Sequence, residues 1–254
     1  MTNENMDVQL CTQPGFSQTK KPKPHAPPAT SNALRRFSKM WAKNNPAKFW
    51  TPGSTLRIAF LNGTQEFKDA TIAAASNWLP HINLKFDFVE GEVGDIRILS
   101  QEGTFSSRIG TDALLHPDEP TMTLWPHPPS QARYFAANVM HEFGHMLGAE
   151  HEQTNPTADI PWDKPAIYAQ FGITADPEED DSQASVTRKR LHDWYFDRGN
   201  PDESIYSEYD PKSIMHYRIS QSWTIGDFQL FINLDLSEKD KIFMANAYPC
   251  PASE

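Results

Sequence analysis

Only two cysteines, Cys11 and Cys250, occur in 254 residues. They allow at most one disulfide, joining the two ends, which excludes a small fold stapled by several bridges and leaves the redox compartment open. No run approaches the ~20 consecutive apolar residues that a membrane helix needs. The opening MTNENMDVQL has no basic stretch leading into an apolar one, so no secretory signal is expected. No internal repeat is present, and the only biased tract is KKPKPHAPP (Lys20 to Pro28), whose four prolines favour extended, solvated backbone.

Hydrophobic residues make up 38% of the chain and aromatics 11%, enough for the core of one large domain or a split one. The net charge of -10 is uneven. Residues 1–50 carry eight Lys/Arg against two Asp/Glu, a balance of +6 that leaves -16 for the rest. A body that acidic is not expected to bind nucleic acid, where clustered positive charge faces phosphate. Residues 1–44 read as a flexible basic, Pro-rich arm, with a short helix or a loosely docked lead-in over Asn32 to Lys48.

Folding signals begin at Trp50. LRIAFL (Leu56 to Leu61) reads as a buried strand closed by Asn62 and Gly63. Phe67, Ala70, Thr71, Ala74 and Trp78 follow at helical spacing and predict a scaffold helix. LKFDFVE (Leu84 to Glu90) and DIRILS (Asp95 to Ser100) alternate like half-buried strands, and TMTLW (Thr121 to Trp125) is a further strand cut off by prolines. Ser130 is the expected N-cap of a second helix whose apolar face runs from Phe135 to Leu147 and which ends at Gly148. Beyond it the chain turns Pro-rich, aromatic and acidic, through PEEDD (Pro177 to Asp181), with helical pieces near Lys189 to Phe196 and Ser237 to Tyr248. This predicts a second subdomain.

The second helix carries HEFGH. His141 and His145 stand four residues apart, so their imidazoles share one face and can reach one ion. Catalytic zinc takes three protein ligands and leaves a position for water. Gly148 can adopt the positive φ that ends a helix and reverses the chain, which brings His151 back as the third ligand. Glu142, beside the pair, is the candidate general base toward metal-bound water. One zinc ion and peptide hydrolysis fit this assembly. Gly148 and His151 at fixed offsets separate it from a chance HExxH in an acidic helix. His81, His116, His127 and His192 lack such spacing and read as surface or core residues.

His141, Glu142, His145, Gly148 and His151 match HExxHxxGxxH, and by that pattern the chain resembles the metzincin metallopeptidases. SIMHY (Ser213 to Tyr217) resembles the Met-turn of the astacin family. The resemblance implies that Met215 forms a hydrophobic floor under the metal. It also implies that Tyr217 is a retractable zinc ligand whose hydroxyl stabilises the oxyanion. Glu152 also matches the family pattern, where that glutamate binds the new N-terminus of the processed enzyme. The segments WTPGSTLRIAF, DIRI, SRIGTDA and YDPKSIMHY extend the likeness over about residues 45–250. The implied fold is α+β: a twisted, mixed five-stranded sheet with two long helices in an upper half (45–148), and a mostly irregular lower half (149–254) with a C-terminal helix. DIRI and the segment after it would lie near the edge strand along which substrate aligns.

The chain departs from the pattern in three places. Ala149 stands where an aromatic is usual, two cysteines cannot form the two disulfides of animal members, and the FxGD propeptide motif is absent from residues 1–50. These point to a microbial-type, disulfide-poor member. Residues 1–44 are then a propeptide or a surface anchor. Cys11 has two readings: a thiolate cap on the zinc, or a thiol that is free or bonded to Cys250. Arg218, after Tyr217, either favours acidic residues beyond the scissile bond or is simply solvated.

The expected activity is that of a monomeric zinc endopeptidase acting on protein or peptide. Resemblance implies extracellular action. The alternatives are an inactive zinc-binding module that recognises peptides or acts as a scaffold, and a non-peptidase zinc hydrolase on another fold. Retention of Glu142 argues against the first and SIMHY against the second.

Overall fold

The computed structural model describes residues 42–43, 48–91, 93–174, 176 and 182–250. Cys11, nearly all of the basic arm, most of the candidate helix at 32–48 and PEEDD lie outside the described residues.

Five strands form one mixed sheet in the order β3-β2-β4-β6-β5. These are β2 (Thr55–Phe60), β3 (Lys85–Glu90), β4 (Ile96–Ser100), β5 (Ser106–Ser107) and β6 (Met122–Leu124). Strands β3, β2, β4 and β6 run parallel, and β5 pairs antiparallel to β6, with Ser107 opposite Met122. Over the sheet lie α1 (Gln65–Ala75) and α2 (Ala132–Met146), the two helices that the apolar spacing predicts. The Thr64 side chain accepts the Phe67 N–H and starts α1. Aromatic rings tie the layers together: Phe67 lies 5.7 Å from Phe135 of α2, and Phe86 of β3 lies 5.7 Å from Phe143. Such ring pairs add a preferred geometry to the area that they bury.

Two local expectations are corrected. Ser130 is not the N-cap; it sits inside a 3-10 turn, Pro129–Gln131, and Gln131 precedes α2 without a side-chain cap. Pro129 pre-sets φ for that turn, so winding starts before the serine. DIRILS is not a half-buried strand, because Ile96, Arg97 and Ile98 are all buried in the centre of the sheet. The Arg97 face is covered by the chain at 113–119. The guanidinium donates to the carbonyls of Gly94, Ala113, His116 and Glu119, at 2.5 to 3.1 Å. Burial lowers the Arg97 pKa, with Asp118 and Asp95 opposing. The edges of the sheet are β3 and, from the segment after DIRI, β5.

Past Gly148 come α3 (Lys164–Gln170), α4 (Ser182–Leu191), a π-helical turn (His192–Phe196), β7 (Ser204–Ile205) and α5 (Glu238–Ala247), joined by irregular chain. β7 pairs antiparallel with β1 (Ala42–Lys43). One hydrophobic core runs across the Gly148 boundary, since Ile214, Met215, Phe243 and Met244 share it with Ile58, Ile98 and Phe143. α5 begins with a capping box in which Ser237 and Asp240 bond each other's backbone N–H. No helix among the described residues is long and apolar enough to cross a membrane.

Candidate metal centre

α2 enters the site already anchored. The Trp78 indole donates to the Met140 carbonyl at 2.9 Å, immediately before His141. At the other end Gly148 has φ +97°. The Gly148 N–H bonds the His145 carbonyl at 2.8 Å and the Ala149 N–H bonds the Gly144 carbonyl at 3.0 Å, the paired pattern of a Schellman termination. Two more helix-end carbonyls are taken by side chains from distant chain, Met146 by the Trp50 indole and Leu147 by the Tyr248 hydroxyl, both at 2.8 Å. A tightly held reversal follows, and it carries His151 back over the helix.

The ligand atoms of His141, His145 and His151 all lie within 4.8 Å of one another. His145 Nε2 and His151 Nε2 are 3.0 Å apart. Tetrahedral zinc at about 2.0–2.1 Å from each nitrogen puts its ligands about 3.3 Å apart, so the cluster is of the size that one ion requires. The tautomers agree. His141 Nδ1 donates to the Ile214 carbonyl and His145 Nδ1 to the Ala149 carbonyl, both at 2.8 Å. A neutral ring that donates through Nδ1 presents a lone pair at Nε2, and a second-sphere carbonyl of this kind orients the ligand. His141 Nε2 is buried with no hydrogen-bond partner among the described residues, an unexplained acceptor unless an ion meets it.

Burial also keeps the rings in the ligand form. It lowers the His141 pKa to about 4, and together with the neighbouring His141 it lowers that of His145 to about 3. His151 is depressed by burial and then by His145, His141 and His216. The three imidazoles form a site for one zinc ion.

Glu142 is fully buried on the same helix. Met215, also fully buried, packs on α2 where Gly144 leaves room: a β-carbon at Gly144 would fall on the Met215 sulfur. The glycine of HEFGH is thus a close-approach position that spacing alone does not reveal. The Tyr217 ring centroid lies 4.2 Å from that of His151 and 5.8 Å from that of His141. The histidine of SIMHY accepts from the Tyr209 hydroxyl at 2.7 Å and donates through Nδ1 to the Tyr217 carbonyl at 2.6 Å. Burial holds its pKa near about 4.

Glu152 is fully buried. Its Oε1 accepts the Asp210 N–H at 2.8 Å and the Asn155 amide at 3.0 Å, while Oε2 has no partner among the described residues. Burial raises its pKa well above the usual range. Arg218 is exposed, as is Cys250.

Two supports of the site escaped the motif reading. Asp240, fully buried on α5, accepts the Ser213 hydroxyl at 2.6 Å and the Ile214 N–H at 2.8 Å, and so grips the Met-turn. Gln153, in the 3-10 turn after His151, bonds the Tyr217 backbone.

No protein-family model matches the chain, and neither does any curated protein. Among solved structures it is similar to one of myroilysin, with 32% identity and a TM-score of 0.72 over 83% of this chain and 99% of that one. The chain belongs to the astacin family of metzincin zinc metallopeptidases. A second myroilysin structure matches at 32% identity and a TM-score of 0.61, over 80% of this chain and 87% of that one. High choriolytic enzyme 1, a hatching enzyme zinc-protease of medaka fish (Oryzias latipes), shares the fold at 16% identity and a TM-score of 0.52, over 82% of this chain and 97% of that one. The α+β architecture, mixed five-stranded sheet and zinc site of this astacin-family chain agree with the expectation from its motifs.

Proposed function

We propose that the chain is an endopeptidase in which Glu142 is the general base and Tyr217 the oxyanion donor, within a catalytic unit spanning 45–254. The observation that carries this reading is the convergence of three buried, neutral imidazoles beside a buried carboxylate one residue from the first of them. Zinc held by His141, His145 and His151 supplies a Lewis acid that polarises the scissile carbonyl and acidifies water.

The rest falls to side chains of this chain. Glu142 takes the proton of the attacking water and returns it to the leaving amine. Fixed in the interior, it needs no reorganisation when charge develops. Tyr217, beside the His151 and His141 rings, swings its phenol to the oxygen that becomes negative as the carbonyl carbon turns tetrahedral. Met215 keeps an apolar floor below the three rings. The outer side of β5, last strand of the sheet, pairs with the backbone of an extended substrate.

The test is zinc content and cleavage of a generic protein such as casein, for the natural chain and Glu142→Gln. The variant is expected to hold one zinc per chain and to lose at least about three orders of magnitude in turnover. Cleavage retained by Glu142→Gln, or a natural chain that never holds metal, sinks the proposal.

A further inference from the structure

Gln153 is 1% exposed and spends its whole carboxamide on two distant pieces of backbone. Its Oε1 accepts the Tyr217 N–H at 3.2 Å, and its Nε2 donates to the Trp194 carbonyl at 3.1 Å. Trp194 lies in the π-helical turn His192–Phe196 that continues α4. The last carbonyls of a helix have no partner within it, and Gln153 supplies one. A second bond ties the same 3-10 turn to the chain just past the π-helical turn, from the Gly199 N–H to the Thr154 carbonyl at 2.9 Å. The turn that follows His151 is thereby stitched to the π-helical turn on one side and to Tyr217 on the other.

The π-helical turn in its turn backs the Tyr217 ring. Tyr195, 1% exposed, has its ring centroid 5.8 Å from that of Tyr217. It is itself wedged edge-on between Trp223 at 5.2 Å and Trp162 at 5.7 Å. Tyr217 is therefore bounded by imidazoles on one side and by an aromatic layer on the other. The Gln153 side chain spans the separation between the Tyr217 backbone and that layer.

We propose that Gln153 is a positioning residue for Tyr217: by bridging the Tyr217 N–H and the Trp194 carbonyl it sets where the phenol stands between His151 and the aromatic layer. This rests on the reading that the Tyr217 phenol acts in peptide hydrolysis. The Gln153 carboxamide bonds main-chain atoms of Tyr217 and Trp194, so its part in hydrolysis is to act through the tyrosine.

A double-mutant cycle tests it, with Gln153→Met, Tyr217→Phe and the pair, each measured for kcat, KM and zinc content. Methionine matches glutamine in length and offers neither donor nor strong acceptor. Gln153→Met is expected to keep one zinc per chain and a KM within about twofold, and to lose roughly tenfold in kcat, as misplacement of a catalytic group does. In the Tyr217→Phe background the same change is expected to cost less than about twofold, because residues that act as one unit are not additive. Gln153→Glu, which keeps an acceptor for the Tyr217 N–H but has no donor for Trp194, is expected to fall between the two, and it replaces Gln153→Met in the cycle if that variant does not fold.

An unchanged kcat in Gln153→Met, or a tenfold loss that persists in full beside Tyr217→Phe, overturns the proposal. Loss of zinc from both Gln153 variants assigns the residue to holding His151 and overturns it as well. Full activity of Tyr217→Phe by itself removes the reading beneath it, and that result is independent of any Gln153 measurement.

Discussion

Asp240→Ala asks whether the Met-turn is held from the C-terminal helix. In the natural chain the carboxylate accepts three donors: the Ser213 hydroxyl, the Ile214 N–H and the Ser237 N–H, at 2.6, 2.8 and 2.9 Å. Ser237 is half-buried and can be rehydrated, whereas Ser213 and Ile214 are buried. Two orphaned donors at about 1–3 kcal/mol each, with a lost cap of about 1 kcal/mol, give about 3–7 kcal/mol. Against this stands relief from burying a charge. The Asp240 pKa is raised, mainly by burial, to about 6 from 3.8, and two units correspond to about 3 kcal/mol. The net loss at pH 7 is therefore about 2 kcal/mol. Its pH dependence has a definite sign. A carboxyl whose folded pKa is raised binds its proton more tightly in the fold, so its contribution improves as pH falls from about 6 towards 4. Alanine cannot follow, so the gap should widen by about 1 kcal/mol at pH 5. Asp240→Asn keeps an oxygen for the two N–H groups and an amide for the hydroxyl, and should stay within about 1 kcal/mol of the natural chain at pH 7. Urea denaturation at pH 7 and 5 measures all three. The Ile214 carbonyl orients His141, so zinc affinity of the alanine variant should fall by about tenfold in chelator competition. An asparagine variant as damaged as alanine, or an alanine gap that narrows on acidification, refutes the reasoning.

Gly148→Ala puts a side chain at φ +97°, with its β-carbon 3.0 and 3.1 Å from the Phe49 ring. About 1–3 kcal/mol of backbone strain should lower both stability and zinc affinity, and equal values for the two proteins by denaturation and chelator competition would show that the reversal needs no glycine. Metal-free protein should lose stability on acidification. His141, His145 and His216 are depressed to about 4, about 3 and about 4, so between pH 6.5 and about 4 the unfolded chain takes up more protons than the fold and stability falls. Asp240, from about pH 6 downward, and Glu152, raised well above the usual carboxylate range, oppose this, two carboxyls against the four buried imidazoles of His141, His145, His151 and His216. A melting temperature in chelator that is level or higher at pH 5 than at pH 7 contradicts that balance.

What could be read from the residues follows how far apart the interacting groups lie in the chain. His141 and His145 share a face because a helix turns every 3.6 residues, and Gly148 reverses the chain because of its own backbone freedom. Both facts are complete within eleven residues, and so the zinc site was legible. The groups that hold those rings are not local. His141 depends on the Ile214 carbonyl, 73 residues on, and the Met-turn on Asp240, 26 residues further still. In sequence Asp240 is an ordinary first-turn aspartate of SEKD, and a helical piece near Ser237 to Tyr248 says nothing of what its carboxylate grips. Arg97 is a similar case: an arginine in an alternating strand implies a wet face until a loop brings three carbonyls to it, beside the local one of Gly94. Gln153 could not be assigned before the π-helical turn was known, because its partner is a main-chain oxygen with no residue identity. Chain-local geometry thus names the groups that meet the ion, while topology decides which backbone atoms hold them still. In this chain that second task falls to buried polar side chains, Asp240 and Gln153, whose residue types alone would place them in water.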